Sequence, residues 1–235
     1  MRAIILAAGR GERLGEITER IPKLMLQVKG EIILEHNINW LKKYGFKDIY
    51  INLHYLPGTI KNYFKSGKAI GVKLNYSHEP ELLGSAGAVR KIANDFWKKE
   101  IKTFLVIYGD NFFNNKDNIK NIIKFHFKNK GIATIGLYRK ISETKKSGVV
   151  KIDKNNLVKE FIEKPILEKE IKSNLINTGF YVLEPEILRY IPQGYSDFGK
   201  DIFPKLLKSK VSVFGYIFLK GLIAIDTPEL YKGVI

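Results

Sequence analysis

Short apolar segments of strand length alternate along this chain with segments of helical period, and this alternation constrains the fold more than any other feature. Arg2–Leu6 is a largely apolar run, long enough for a strand buried on both faces and too short for a helix. Residues 32–44 then carry Ile33, Leu34, Ile38 and Leu41 at helical spacing, with Gly45 where a helix C-terminus would end. The rhythm repeats. Asp48–Leu53 reads as strand, Pro57–Phe64 as a short helix and 72–76 as strand. Residues 86–97 read as a helix with Val89, Ile92, Ala93 and Phe96 on one face. Residues 103–108 are a buried strand, 116–129 a helix and 133–138 a strand. Such a series predicts an α/β, Rossmann-like fold with a mostly parallel central sheet and helices on both faces. After Ser147 the rhythm changes: 149–152, 157–162, 177–183 and 211–218 are strand-like, while 187–190 and 200–207 look helical. A smaller mixed or antiparallel part is expected there, within one continuous domain over 1–235.

Composition narrows the function classes. The 235 residues contain 40 Lys and Arg against 24 Asp and Glu, a formal net charge of +16. That excess points to an anionic partner, whether nucleic acid, a phosphorylated small molecule or an acidic membrane surface. Abundant Lys, Ile and Asn also reflect genome composition, which weakens an argument from charge alone. With no cysteine, disulfides, thiolate metal sites and thiol nucleophiles drop out. Apolar runs such as 3–8 are too short to cross a bilayer, and the N-terminus lacks a signal-peptide pattern, so a cytoplasmic protein is expected.

The loop after the first strand reads Ala7-Ala8-Gly9-Arg10-Gly11-Glu12-Arg13-Leu14, with Pro22-Lys23 beyond. In open α/β sheets ligands bind at the carboxyl ends of the strands. Gly9 and Gly11 would let backbone amides approach a phosphate, and Arg13 and Lys23 would add positive charge. A dinucleotide fingerprint fails, since Leu14 stands where its third glycine should be. The P-loop string does not occur. Read by itself, the segment is equally a glycine-rich turn with solvated charges.

A longer series of motifs follows in order. Leu6-Ala7-Ala8-Gly9-x-Gly11-x-Arg13-Leu14 and Pro22-Lys23 are followed by Glu79, Leu83-Gly84-Ser85-Ala86-Gly87 and Gly109-Asp110. Then come Gly148-Val149-Val150, Glu163-Lys164-Pro165, Asn177-x-Gly179-x-Tyr181, Asp197-Phe198-Gly199-Lys200-Asp201 and Asp226-Thr227-Pro228-Glu229. This set resembles the sugar-1-phosphate nucleotidyltransferases, or NDP-sugar pyrophosphorylases, and is closest in look to members that transfer guanylyl groups to mannose 1-phosphate.

The resemblance implies attack of a sugar 1-phosphate oxygen on the α-phosphorus of a nucleoside triphosphate, with release of pyrophosphate. The nucleophile is already ionised at neutral pH, so such chemistry needs cations and Mg²⁺ rather than a general base. The implied catalytic residues are Arg13, Lys23 and Asp110. Leu6, Ala7, Ala8, Gly9, Gly11, Glu79, Leu83, Gly84, Ser85 and Ala86 would bind the nucleotide. Gly148, Glu163, Lys164, Asn177 and Gly179 would bind the sugar phosphate. Residues of about 1–140 would form the nucleotide part and about 141–235 the sugar-phosphate part. Asp110 and Asp226 would hold Mg²⁺, a hard ion preferring oxygen. Relatives often read Asp-x-Gly-Thr at the second position, and an alignment on Thr-Pro-Glu would put Ala224 in place of Asp226.

Each residue also has an ordinary reading. Asp110 suits a turn or a cap, and Glu163-Lys164 suits an exposed pair at a strand end. Gly148 and Gly179 suit a turn or bulge, and 83–87 suits a small-residue helix start. Asp197 suits an N-cap. GTP with mannose or a related hexose or heptose 1-phosphate is the leading substrate pair. UTP or dTTP with glucose or amino-sugar 1-phosphate is the alternative. A nucleotide-sugar-dependent glycosyltransferase is a further one, although Asp110-Asn111-Phe112 offers one acid where such enzymes usually carry Asp-x-Asp. No nucleic-acid signature interleaves the charges. The expected partners are the NTP and the sugar 1-phosphate, without nucleic acid or membrane, and homo-oligomerisation is open. The motif series ends close to Ile235, which on this resemblance leaves no appended domain.

Overall fold

The computed structural model describes residues 1–97, 101–113, 118–140, 144–218, 222–225 and 227–233. In chain order the elements begin with β1 (Arg2–Leu6), β2 (Gln27–Val28), β3 (Glu31–Ile32), α1 (Ile33–Lys43) and β4 (Asp48–Leu53). Next are α2 (Pro57–Phe64), β5 (Lys73–His78), α3 (Gly84–Phe96), β6 (Phe104–Tyr108), β7 (Asn111–Phe113) and α4 (Asn118–Asn129). The remainder comprises β8 (Ala133–Arg139), β9 (Gly148–Ile152), β10 (Val158–Glu163), β11 (Leu175–Leu183), α5 (Phe203–Lys208), β12 (Val213–Phe218), β13 (Leu222–Ala224) and α6 (Pro228–Lys232). The described chain divides into two compact units: Met1–Leu82, Ile107–Lys116 and Gly221–Ile235 in the first, Leu83–Val106 and Asp117–Lys220 in the second.

The first unit is built on parallel strands. β1 pairs with β4 from Ala3 opposite Ile49 to Leu6 opposite Asn52, and β4 pairs in parallel with β5. Ala3, Ile4 and Ile5 are fully buried, as a strand covered on both faces must be. α1 buries Ile33, Leu34, Ile38 and Leu41 completely, the stripe read from the sequence. Each such side chain contributes roughly 1.5–3 kcal/mol by leaving water.

The second unit is mixed. β11 pairs antiparallel with β8 and β9, β10 antiparallel with β9, and β12 parallel with β8. Tyr181, Phe198 and Phe203 pack with ring centroids 5.1–5.5 Å apart, and Phe161 lies 5.2 Å from Phe203. This aromatic cluster holds a π turn, Phe198–Ile202, directly before α5.

The elements depart from the sequence reading at three places. The segment read as loop after β1 coils into 3₁₀ turns over Glu12–Thr18, broken at Gly15. Thr18 Oγ1 donates to the carbonyls of Gly11 and Gly15 and closes them. α3 starts at Gly84, two residues before the expected 86. Its first amides have a partner outside the helix, because Ala86 and Gly87 both donate to the Ser196 carbonyl. Finally, 187–189 belong to a 3₁₀ segment, Pro185–Arg189, with Tyr190 capping its end, and not to an α-helix.

Candidate active site

In the first unit, β1 ends at a loop whose shape the sequence imposes. Gly11 has φ +72°, and a Cβ there would sit 3.1 Å from Lys23 Cβ and 3.2 Å from Thr18 Cγ2. A side chain there would be strained by the backbone and would press on both neighbours. Gly9 differs, with nothing within 4 Å of the Cβ it lacks. The loop's entry is also fixed. Ala7 N–H donates to Asn52 Oδ1 at 2.7 Å, and Asn52 Nδ2 donates to Glu79 Oε1 at 2.8 Å. Ala7, Ala8, Asn52 and Glu79 are all buried. Glu79 thus reaches the loop through Asn52, a residue sequence reasoning passed over.

Asp110 follows β6 and faces the same loop. Gly109 N–H donates to the Leu6 carbonyl at 2.9 Å, and Asn37 Nδ2 on α1 donates to the Gly109 carbonyl at 2.7 Å. These bonds pin the turn beside the end of β1. Lys23 Nζ donates to Asp110 Oδ2 at 2.7 Å, with the lysine side chain 10% exposed and the aspartate 32%. Gly9, Arg10, Gly11, Glu12, Arg13, Lys23, Leu82 and Asp110 line one pocket. The structure therefore brings together Gly9, Gly11, Arg13, Lys23 and Asp110. Leu6 and Ala7 brace that assembly from the strand end. Asp226, the expected second metal ligand, lies outside the described residues.

The second unit holds the remaining candidates. Leu83, Gly84, Ser85 and Ala86 open α3 and are zipped to 194–198. Ser196 N–H donates to the Leu83 carbonyl at 2.9 Å. A Cβ at Gly84 would overlap the Ser196 carbonyl, and one at Gly87 the Gly194 carbonyl. Ser85 Oγ donates to Asp197 Oδ2 at 2.7 Å and accepts from Phe198 N–H at 2.9 Å. Ala86 is fully buried.

Glu163 and Gly148 meet across β9 and β10, where they are register partners. A Cβ on Gly148 would come within 2.7 Å of Glu163 Oε2 and 2.8 Å of the Phe161 ring, so glycine leaves room for both side chains where they stand. Burial pushes the Glu163 pKa up, the charge of Asp197 adds to the rise, and Lys164 and Lys200 oppose it. Lys164 is exposed and adopts φ +48°, a conformation non-glycine residues reach at a cost of about 1 kcal/mol or more. Asn177 and Gly179 form a bulge in β11. Gly179 has φ +67°, its N–H donates to Asn177 Oδ1 at 3.0 Å, and Asn177 Nδ2 donates to the Tyr181 hydroxyl at 2.8 Å.

Comparison with known proteins agrees with the motif series. A model of the nucleotidyl transferase family matches residues 2–221. A UTP–glucose-1-phosphate uridylyltransferase of Synechocystis sp. is 37% identical over 222 residues, covering 89% of this chain and 56% of the relative. A mannose-1-phosphate guanyltransferase of Saccharomyces cerevisiae is 33% identical over 213 residues, covering 89% of this chain and 57% of the relative. The chain thus spans a little over half the length of these relatives. A solved Bacillus anthracis structure, provisionally named a glucose-1-phosphate thymidylyltransferase and complexed with a sucrose, has a TM-score of 0.86 at 26% identity. It covers 100% of this chain and 93% of its own, and bears out the α/β, Rossmann-like expectation. By the match across 2–221, this chain belongs to the nucleotidyl transferase family.

Proposed function

We propose that this protein transfers a nucleotidyl group from a nucleoside triphosphate to a sugar 1-phosphate. A sugar-phosphate oxygen forms a bond to the α-phosphorus while the bond to the β-phosphate's bridging oxygen breaks, and pyrophosphate leaves. The observation that carries this reading is the 2.7 Å Lys23–Asp110 pair in a pocket lined by Gly9, Gly11, Arg10 and Arg13. Reactions of this type need in-line positioning and charge neutralisation more than proton transfer. Cationic side chains with open backbone at glycine supply both. Glu163 would accept from sugar hydroxyls, and Lys164 would contact the sugar phosphate.

The donor chemistry at Asp110 fits Mg²⁺, which takes one or two carboxylates and completes its shell with water and substrate oxygens. Among the described residues no group of three or more acidic, His or Cys side chains forms a closed cage. An accessible carboxylate at the mouth of a phosphate pocket suits such an ion better. Asp110 would hold it, with Asp226 as second ligand, and the ion would neutralise phosphate charge. The partners are then small phosphorylated molecules in the cytoplasm, without nucleic acid or membrane.

GTP with mannose 1-phosphate is our leading pair, supported by the likeness of 83–87 and 196–204 to guanylyl-transferring members. The 37% identity to a uridylyltransferase favours UTP with glucose 1-phosphate as the second reading. The test incubates the protein with Mg²⁺ and GTP, UTP or dTTP against mannose, glucose and amino-sugar 1-phosphates, and measures pyrophosphate. Release that requires both substrates in at least one pairing is expected. No release with any pairing overturns the proposal.

A further inference from the structure

Asp197 has more contacts than an N-cap requires. Its Oδ1 accepts from the N–H groups of Gly199 at 2.8 Å and Lys200 at 3.1 Å, which shapes the turn Phe198–Ile202. Its Oδ2 accepts from Ser85 Oγ at 2.7 Å, in the first turn of α3. The turn it shapes then presses on Glu163, since a Cβ on Gly199 would overlap Glu163 Oε2. Gly148 closes on the same carboxylate from β9. One carboxylate therefore stands in a continuous chain running Ser85, Asp197, Gly199, Glu163, Gly148, all within the second unit. Rings of Phe198 and Phe203, at 5.5 Å, and of Tyr181 brace the turn from behind.

We propose that Asp197 is a positioning residue that couples the 83–87 segment to the Glu163 carboxylate, so that binding at one is felt at the other. This rests on the reading that 83–87 touches the nucleotide and Glu163 the sugar phosphate. The physical link has two parts. The Ser85 hydroxyl fixes where the Asp197 carboxylate stands, and the backbone of 198–200 follows because it hangs from Oδ1. Movement of Ser85 on nucleotide binding shifts Gly199 against Glu163, whose room is set by two glycines. An electrostatic path runs in parallel, because Asp197 is the like charge facing Glu163 while Lys164 and Lys200 face it as opposite charges. Coupling of this kind is reciprocal.

The first test needs no substrate. The Glu163 side-chain carboxyl resonance, assigned by its loss in Glu163→Gln, is titrated in the wild-type chain and in Asp197→Asn. Asparagine also caps helical turns, so the backbone of 198–202 is retained while the charge goes. The titration should move to lower pH. An unmoved titration in a folded variant overturns the coupling whatever the protein's substrates are.

The second test measures mannose 1-phosphate and glucose 1-phosphate binding by calorimetry, with and without GTP or UTP, in chelator so that no turnover occurs. In the wild-type protein the nucleotide should change sugar-phosphate affinity by at least about threefold. Ser85→Ala and Asp197→Asn should bring that ratio toward one. A ratio that persists in both variants overturns the proposal. Absence of binding by either ligand counts against the functional reading instead, and the carboxyl titration still decides the coupling.

Discussion

Lys23 keeps its ammonium against Asp110 with only a tenth of its side chain exposed, so the two residues stand or fall together. Asp110→Asn retains an oxygen acceptor for Lys23 and removes the charge. It should still unfold cooperatively, with kcat lowered about 10²–10³-fold as electrostatic stabilisation is lost. Asp110→Ala leaves the ammonium without its carboxylate and should cost about 1–3 kcal/mol of stability as well, read by denaturant unfolding. The loop glycines divide in the same way. Gly11→Ala meets a positive φ and two near neighbours, so its Tm should fall, with a cost of about 1–3 kcal/mol. Gly9→Ala meets no neighbour and should keep its Tm, while KM for the nucleotide rises because the new methyl group stands where a phosphate would approach. Equal Tm losses in both variants would mean that Gly9 is a folding residue. Residues like these were legible because their partners are close in sequence or their type is distinctive. Asn52 and Asn37 were not. Each is an asparagine buried among apolar neighbours, and its purpose appears only once Ala7, Glu79 or Gly109 stands beside it.

Strands and helices were legible where apolar period alone decides them. β1, β4, α1 and α2 fall within a residue or so of the sequence reading because their buried faces are continuous. One miss occurs where a distant segment supplies the hydrogen bonds. α3 gains its first turn from the Ser196 carbonyl, more than a hundred residues away, and no local pattern announces that. The short hairpin of β2 and β3, with Gly30 at φ +79°, also carried too little apolar signal to be read. At this scale Glu163 makes a stability prediction. Its carboxyl sits at the end of β10 against Gly148 and titrates above the ordinary carboxylate range, chiefly through burial. A raised native pKa means the folded state holds the proton longer than the unfolded chain. The contribution is thus fully present at acid pH and is lost as pH rises through the native value. Glu163→Gln, which stays neutral, should gain stability relative to wild type between acid and neutral pH, measured by urea unfolding across that range. The same variant should lose sugar-phosphate affinity, so stability and binding move in opposite directions. A pH-independent stability difference would contradict the burial account.

For the whole molecule, net charge proved a poor guide. Of the 40 basic residues, the proposed chemistry uses Arg13, Lys23 and Lys164, with Arg10 lining the same pocket, so the net charge by itself says little about the reaction. The ordered motif series carried far more, and the family match over 2–221 agrees with it. The two compact units interleave in sequence, with the chain passing between them at 82/83, 106/107, 116/117 and 220/221. A division near residue 140 follows the change in strand rhythm, whereas these boundaries follow packing, which sequence period does not encode. No helix among the described residues is long and apolar enough to cross a membrane. The central claim is nucleotidyl transfer to a sugar 1-phosphate, and ³¹P NMR of the reaction mixture tests it most directly. With Mg²⁺ and a matched pair, the monoester signal of the sugar 1-phosphate should give way to the paired signals of a diphosphate ester, with one pyrophosphate formed for each. Asp110→Asn should leave the spectrum unchanged over the same time. Appearance of inorganic phosphate or a nucleoside monophosphate without a diphosphate ester, or persistence of the sugar 1-phosphate with every nucleotide offered, would contradict the account.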